Sequence, residues 1–338
     1  MVLQQYLELL IPEINSGLKS TIQKDIPETF SLLQEMMLYH FGWFDKNRPQ
    51  GSHGKRIRPL LLLLSNIVCG GDWKKTLPAA IAIELIHNFS LLHDDIEDRS
   101  DLRHGRKTAW VVYGTSQAIN AGDAMFSLAQ INMLKIGDSI NKMLGFEALA
   151  KLNETCLVLT GGQSLDISFE NKRIISLEQY LSMIQGKTAA LISASCEIGA
   201  ILAEAAEGDI KLFKKYGEAL GLAFQAWDDW LGIWGKEEIT GKSNMSDLLT
   251  GKKTLPILYA LDKKGDFSEV YLKQGVSKEN FDQLVSLLEA EGAKTYTEKL
   301  ARKYTNESLS ALNKIERKNQ DAFDGLIELT SLLIQRKE

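Results

Sequence analysis

The sequence predicts an all-α fold, and three observations carry that prediction. The chain has 338 residues but only six prolines, at Pro12, Pro27, Pro49, Pro59, Pro78 and Pro256. None of them interrupts the stretch from Ala79 to Leu255, and proline is the residue least compatible with a helix interior. Apolar residues recur at helical spacing, as in Ile81, Leu85, Ile86, Phe89 and Leu92, or Phe213, Tyr216, Leu220, Ala223 and Phe224. The breaks are glycines and short polar clusters, at 45–54, 70–76, 100–107, 235–253 and 263–268, without the regular turn punctuation of a β protein. About a dozen helices and no strand are expected. No linker, repeat or low-complexity tract divides the chain, so residues 1–338 are expected to form a single all-α domain.

Composition narrows the classes. Lys+Arg 39 against Asp+Glu 44 gives a net charge of −5, which disfavours non-specific binding to nucleic acid. At 44% hydrophobic and 25% charged, the chain can bury a large core. Cys69, Cys156 and Cys196 are too few and too scattered for a disulfide framework or a zinc site, and fit a reducing cytosol. Met1 to Leu10 has no basic leader, and the apolar run Leu60 to Cys69 is too short for a bilayer. A soluble, cytoplasmic protein is expected.

Charged motifs punctuate the helices in order. Gly54-Lys55-Arg56-Ile57-Arg58-Pro59 places Lys55 and Arg58 three apart at the entry to an apolar helix, where forked guanidinium donors and the helix dipole suit phosphate. The next helix, expected to begin near Pro78, carries His87 and ends in His93-Asp94-Asp95-Ile96-Glu97-Asp98. Asp94 and Asp98 lie four apart on one face, at the end of a helix that disfavours anions. Such a cluster calls for a cation, and oxygen-only ligands point to Mg²⁺ shared with substrate phosphates; a solvated acidic helix end is the plain alternative. Arg103, His104, Gly105, Arg106 and Lys107 follow. Gln163 and Asp166 interrupt another apolar helix, and Lys187-Thr188 lies in an apolar stretch where an ammonium needs an anion. Phe224-Gln225-Ala226-Trp227-Asp228-Asp229-Trp230 puts two acids among aromatics, a pair expected to be buried and to need a metal or basic partners. The polar segment 235–253, with Lys236, Lys242, Lys252 and Lys253, is expected to be a mobile loop able to close over a charged ligand.

In this order the pieces from Gly54 to Lys252 resemble the trans-type prenyl diphosphate synthases, the polyprenyl synthetase family. The resemblance implies a helical bundle around a deep central active-site cavity, the isoprenoid synthase fold, in a homodimer. It implies a metal-binding set of Asp94, Asp95 and Asp98 on one wall and Asp228 and Asp229 on the opposite wall, with Asp94, Asp98 and Asp228 holding three Mg²⁺ ions around an allylic diphosphate. Arg103, Lys187, Thr188, Gln225, Lys242 and Lys252 would contact that diphosphate, and Lys55, Arg58, His87 and His104 would bind isopentenyl diphosphate. Ionisation would give an allylic carbocation, which the isopentenyl double bond attacks before a proton leaves to the diphosphate.

Two positions depart from the family pattern. Gly232 stands where a third acid usually completes the second motif. His104 stands where a second arginine usually meets isopentenyl diphosphate, and Arg106 is the nearest substitute. Phe89, five residues before Asp94, and the small Ser90 resemble the chain-length floor of archaeal-type geranylgeranyl diphosphate synthases. Farnesyl or longer products are the alternatives within the family. A terpene cyclase, which has no use for Lys55, Arg58 and His87, and a non-catalytic synthase subunit are the alternatives outside it.

Overall fold

A computed structural model describes residues 2–44, 54–170, 172, 174–235, 246–249 and 252–334. Helix α1 (Val2–Asp25), a 3₁₀ turn (Glu28–Phe30), α2 (Ser31–His40), α3 (Ile57–Val68) and α4 (Trp73–Glu97) come first. A two-residue hairpin of β1 (Leu102–Arg103) and β2 (Arg106–Lys107) follows, then α5 (Ala109–Tyr113), α6 (Thr115–Leu134), α7 (Ile136–Ser139) and α8 (Lys142–Glu170). After α9 (Leu177–Ile184) the chain makes a π-helical turn (Gln185–Ala189) and continues as α10 (Ala190–Leu202) and α11 (Glu207–Trp234). The last elements are α12 (Ser246–Leu249), α13 (Leu255–Lys263), α14 (Asp266–Gln274), α15 (Phe281–Ala290), α16 (Ala293–Leu312) and α17 (Gln320–Ile334). The helices outnumber the expected dozen because α5, α7 and α12 are little more than single turns.

Two expectations are corrected. Helix α4 begins at Trp73, not near Pro78, because the Asp72 carboxylate caps it by accepting from the Lys74 N–H at 3.0 Å. Pro78 therefore lies inside the helix. The short hairpin is the second correction: Thr108 N bonds Asp101 O, and His104 (φ 52°) and Gly105 (φ 73°) form a two-residue turn with both φ positive.

The chain falls into two compact units, each assembled from separate segments. Unit 1 comprises 1–156, 194–210 and 316–326; unit 2 comprises 157–193, 211–315 and 327–338. In unit 1, α4 packs along α6 and against α1 and α3. Leu60 to Leu64 are all fully buried, as are Ser65 and Asn66 after them, so this stretch of α3 is enclosed by its neighbours, with Asn66 donating to Gly199 O. In unit 2, Ile257, Leu261, Phe267, Leu284, Leu288 and Ala293 join α13 to α16 in one apolar cluster. Cys69, Cys156 and Cys196 are free and buried, and burial pushes their thiols up to about 12, 11 and 12, so none is a nucleophile. No described helix is long and apolar enough to cross a membrane.

Candidate active site

In unit 1 the site is built at the C-terminal end of α4. Asp98 is the C-cap, its N–H on Asp94 O, and is exposed; Asp94 is 19% exposed. Asp95, only 2% exposed, receives the Arg103 guanidinium, with Nε at 2.9 and 3.1 Å from its two oxygens and Nη2 at 2.8 Å. The same Nη2 stands 3.6 Å from Asp94. Burial raises the Asp95 carboxyl, and the bonds from Arg103 oppose that rise. The hairpin is thereby tied to the end of α4, and Trp110 Nε1 and Thr108 Oγ1 donate to Ser100 O beneath it. His104 is exposed at the tip of the turn, a left-handed position that histidine tolerates better than most residues. Arg106 is directed elsewhere: Nη2 donates to Tyr39 O at 2.8 Å and the guanidinium lies over the Tyr39 ring.

A second polar group surrounds the entry to α3. Arg56 has a left-handed backbone (φ 50°) and a buried side chain that pairs with Glu84 at 2.8 Å, donates to Asn15 at 2.9 Å and lies over the rings of Phe41 and Trp43. It anchors the turn on which its neighbours sit. Lys55 is exposed, and Arg58 Nη1 meets His87 Nε2 at 3.2 Å. Arg58 Nε is buried without a hydrogen-bond partner. Burial, then Arg58, Arg103, His40 and Arg56, push His87 well below its usual value, so the imidazole is neutral and accepts from the guanidinium. Two residues nearer the carboxylates, the Phe89 ring meets the rings of His93 (4.9 Å) and Phe126 of α6 (5.4 Å), both edge-on. Ser90 Oγ donates to His87 O within α4.

In unit 2 the polar groups meet because glycines let backbones touch. A Cβ on Gly162 of α8 would lie 2.2 Å from Lys187 N, so α8 runs directly against the π turn. That contact brings Lys187 Nζ to Asp166 at 2.5 Å. Along α11, Gly217, Gly221, Gln225 and Asp229 share one face at four-residue spacing. Cβ atoms on the two glycines would lie 2.7 Å from Ser193 Cα and 2.5 Å from Ala189 Cα. Held that close, Gln225 Oε1 accepts from Thr188 Oγ1 at 3.0 Å and Gln225 Nε2 donates to Asp229 at 3.0 Å. Asp229 also accepts from Tyr180 OH and from Leu255 N at 2.8 Å. Burial pushes its carboxyl up to about 7, against the lowering effect of those three donors.

The expectation of a buried acidic pair in the second motif is therefore corrected. Adjacent helix residues point about 100° apart, so Asp229 is buried on neutral donors while Asp228 is exposed. Gln163 of α8 and Gly232 of α11 are half-buried. Lys252 is exposed, while its neighbour Lys253 donates to Phe169 O (2.6 Å) and Glu170 O (2.9 Å), the last carbonyls of α8. Lys242 lies outside the described residues. Sequence reasoning missed Tyr180 and read Arg56 and Lys253 only as members of basic segments, not as anchors on Glu84 and on the end of α8; the signal for Arg56 was Glu84, a lone acid in the apolar run of α4.

The donor set fits the expected metal. No group of three or more His, Cys, Asp or Glu among the described residues is arranged to enclose an ion. Asp94, Asp98 and Asp228 instead present accessible carboxylate oxygens, the hard donors by which Mg²⁺ is shared with phosphates.

Comparison with known proteins agrees in sequence and in fold. The polyprenyl synthetase family model matches residues 47–288. The chain is 36% identical over 315 residues to (2E,6E)-farnesyl diphosphate synthase of Mycobacterium tuberculosis, covering 90% of this chain and 86% of the relative. It is 32% identical over 338 residues to geranylgeranyl diphosphate synthase of Sulfolobus acidocaldarius, covering 98% of each. Among solved structures, polyprenyl synthetase from Streptomyces coelicolor superposes with a TM-score of 0.88 at 34% identity, over 98% of this chain and 99% of that one. Geranylgeranyl pyrophosphate synthetase from Pyrococcus horikoshii also gives 0.88, at 31% identity, over 99% and 98%.

Proposed function

Because the chain belongs to the polyprenyl synthetase family and is a trans-prenyl diphosphate synthase, a transferase, we propose that it condenses isopentenyl diphosphate with an allylic diphosphate to give geranylgeranyl diphosphate. The observation that carries the condensation is a second anion receptor in unit 1, separate from the carboxylates. Arg58, with a buried unpartnered Nε, donates to neutral His87, and exposed Lys55 lies three residues before Arg58. An enzyme that ionised a single diphosphate would have no use for that receptor.

The residue roles follow from the chemistry of each group. Asp94, Asp98 and Asp228, with Asp95 and Asp229 beside them, are the residues to hold Mg²⁺; their joint service to one diphosphate rests on the family resemblance. Bound there, Mg²⁺ would neutralise the leaving diphosphate. Arg103 and Lys187 are cations already steadied by carboxylates, at Asp95 and Asp166, and offer donors to diphosphate oxygens. Thr188 and Gln225 add hydrogen bonds, and Lys252 and Lys242 come from the segment that follows α11. The carbon–oxygen bond of the allylic diphosphate breaks heterolytically, the isopentenyl double bond attacks the cation to form the new carbon–carbon bond, and a proton leaves to the diphosphate. The dry apolar cavity that the family resemblance implies would keep water from the cation.

The geranylgeranyl product rests on Phe89, which His93 and Phe126 hold on two sides. We also propose a homodimer, supported in unit 1 by the exposed apolar side chains of Ile131, Leu134, Met143 and Phe146. The three free thiols support a cytosolic setting. The test is incubation with Mg²⁺, isopentenyl diphosphate and each of the dimethylallyl, geranyl and farnesyl diphosphates. Geranylgeranyl diphosphate is the expected product. No condensation with any primer would sink the reading, and hydrocarbon formed without isopentenyl diphosphate would mark a cyclase.

A further inference from the structure

Unit 2 carries a groove of about 580 Å³ between α11 and α16, and none of the residues assigned above lines it. Five cations do: Lys215 of α11, Lys299, Arg302 and Lys303 of α16, and Lys314 just past the end of α16. Against them stands one lining carboxylate, Glu307. The whole chain carries −5, so composition does not account for this concentration of positive charge. Helical steps of three and four residues put the α16 cations on one face, where like charges repel. Glu298 holds Arg302 at 2.9 Å and Glu307 stands 4.0 Å from Lys303. Lys215, Lys299 and Lys314 have no ion-pair partner among the described residues. The excess charge calls for an anion, just as the acids ending α4 call for a cation.

The rest of the lining says what kind of anion. Leu212 and buried Ala311 contribute an apolar surface, and Asn306 and Ser310 contribute neutral hydrogen-bond donors. The volume lies within the range of roughly 300 to 1,000 Å³ typical of small organic ligands and exceeds what a bare phosphate fills. We propose that this groove is a second ligand site, taking a soluble phosphate ester with its phosphate on Lys215, Lys299 and Lys303 and its organic part on Leu212 and Ala311. A concave site with an apolar surface favours a soluble ester over the headgroups of a flat lipid surface. The site does not depend on the condensation reading.

The test compares the full chain with K215Q/K299Q/K303Q by calorimetry in EDTA, using geranyl monophosphate as the ester, inorganic phosphate as the head alone and phosphatidylglycerol vesicles as the lipid surface. Any binding at the active site is common to both proteins, so the difference reads the groove. The expected result is ester binding weakened by about tenfold or more in the variant, inorganic phosphate weaker than the ester on the wild-type chain, and condensation activity within about twofold of wild type. Should the triple variant fold poorly by thermal melting, the single Lys299→Gln replaces it, with ester binding expected to weaken by at least about threefold. Superimposable isotherms for the wild-type chain and a folded variant would overturn the proposal. Loss of vesicle binding alone, with ester binding intact, would overturn it as well.

Discussion

At the scale of single residues, the adjacent acids Asp228 and Asp229 do different work. Buried Asp229 accepts from three donors, on Tyr180, Gln225 and Leu255, whereas Asp228 is exposed. Asp229→Ala should therefore cost about 3 kcal/mol of stability, and Asp228→Ala should leave the melting temperature unchanged while abolishing condensation. Denaturant titration beside an activity assay separates the two, and equal stability losses would contradict the assignment. Histidine gives the pH counterpart. Burial, then Arg103, pushes His40 down to about 3, and His87 is also well below its usual value. As pH falls through about 6.5 the unfolded chain takes up protons that these folded imidazoles refuse, so stability is present above that pH and lost below it. His40→Gln should recover about 1 to 2 kcal/mol of the loss between pH 7.5 and pH 5. The same loss in both proteins would show that His40 is not the group responsible.

At the scale of elements, close glycine contacts set the geometry of unit 2. Gly221→Ala would place a methyl 2.5 Å from Ala189 Cα, pushing α11 off the π turn and parting Gln225 from Thr188. Overpacking of this kind costs about 1 to 3 kcal/mol, and activity should fall with it; a variant of wild-type stability and rate would show that the contact is dispensable. This is also where reading from sequence stopped. The proline-free stretch and the apolar spacing correctly foretold helices, and the ordered acids and bases foretold the reaction class. The start of α4 was misplaced because Pro78 was read as a helix start, whereas the helix begins at the Asp72 cap and runs through it. The hairpin at 102–107 was missed because two residues per strand leave no alternating pattern. The π turn carrying Lys187 depends on packing against Gly162, a tertiary contact with no local signature. Arg56, read as one more basic loop residue, is instead buried on Glu84.

At the scale of the whole molecule, assembly and product length are the properties that follow. Phe146, 61% exposed beside Met143 on α8, is a large apolar side chain facing solvent in the isolated chain. If the proposed homodimer forms through this surface, the wild-type chain should sediment as a dimer and Phe146→Asp as a monomer; a dimer in both would place the interface elsewhere. Product length tests the central proposal, that this synthase makes geranylgeranyl diphosphate with Phe89, set against Phe126 and His93, as its chain-length floor. The direct measurement is the chain length made from farnesyl and isopentenyl diphosphates with Mg²⁺ by the wild-type chain and by Phe89→Ala. The account predicts geranylgeranyl diphosphate from the first and longer products from the second. Identical products from both, or wild-type products longer than geranylgeranyl, would contradict it.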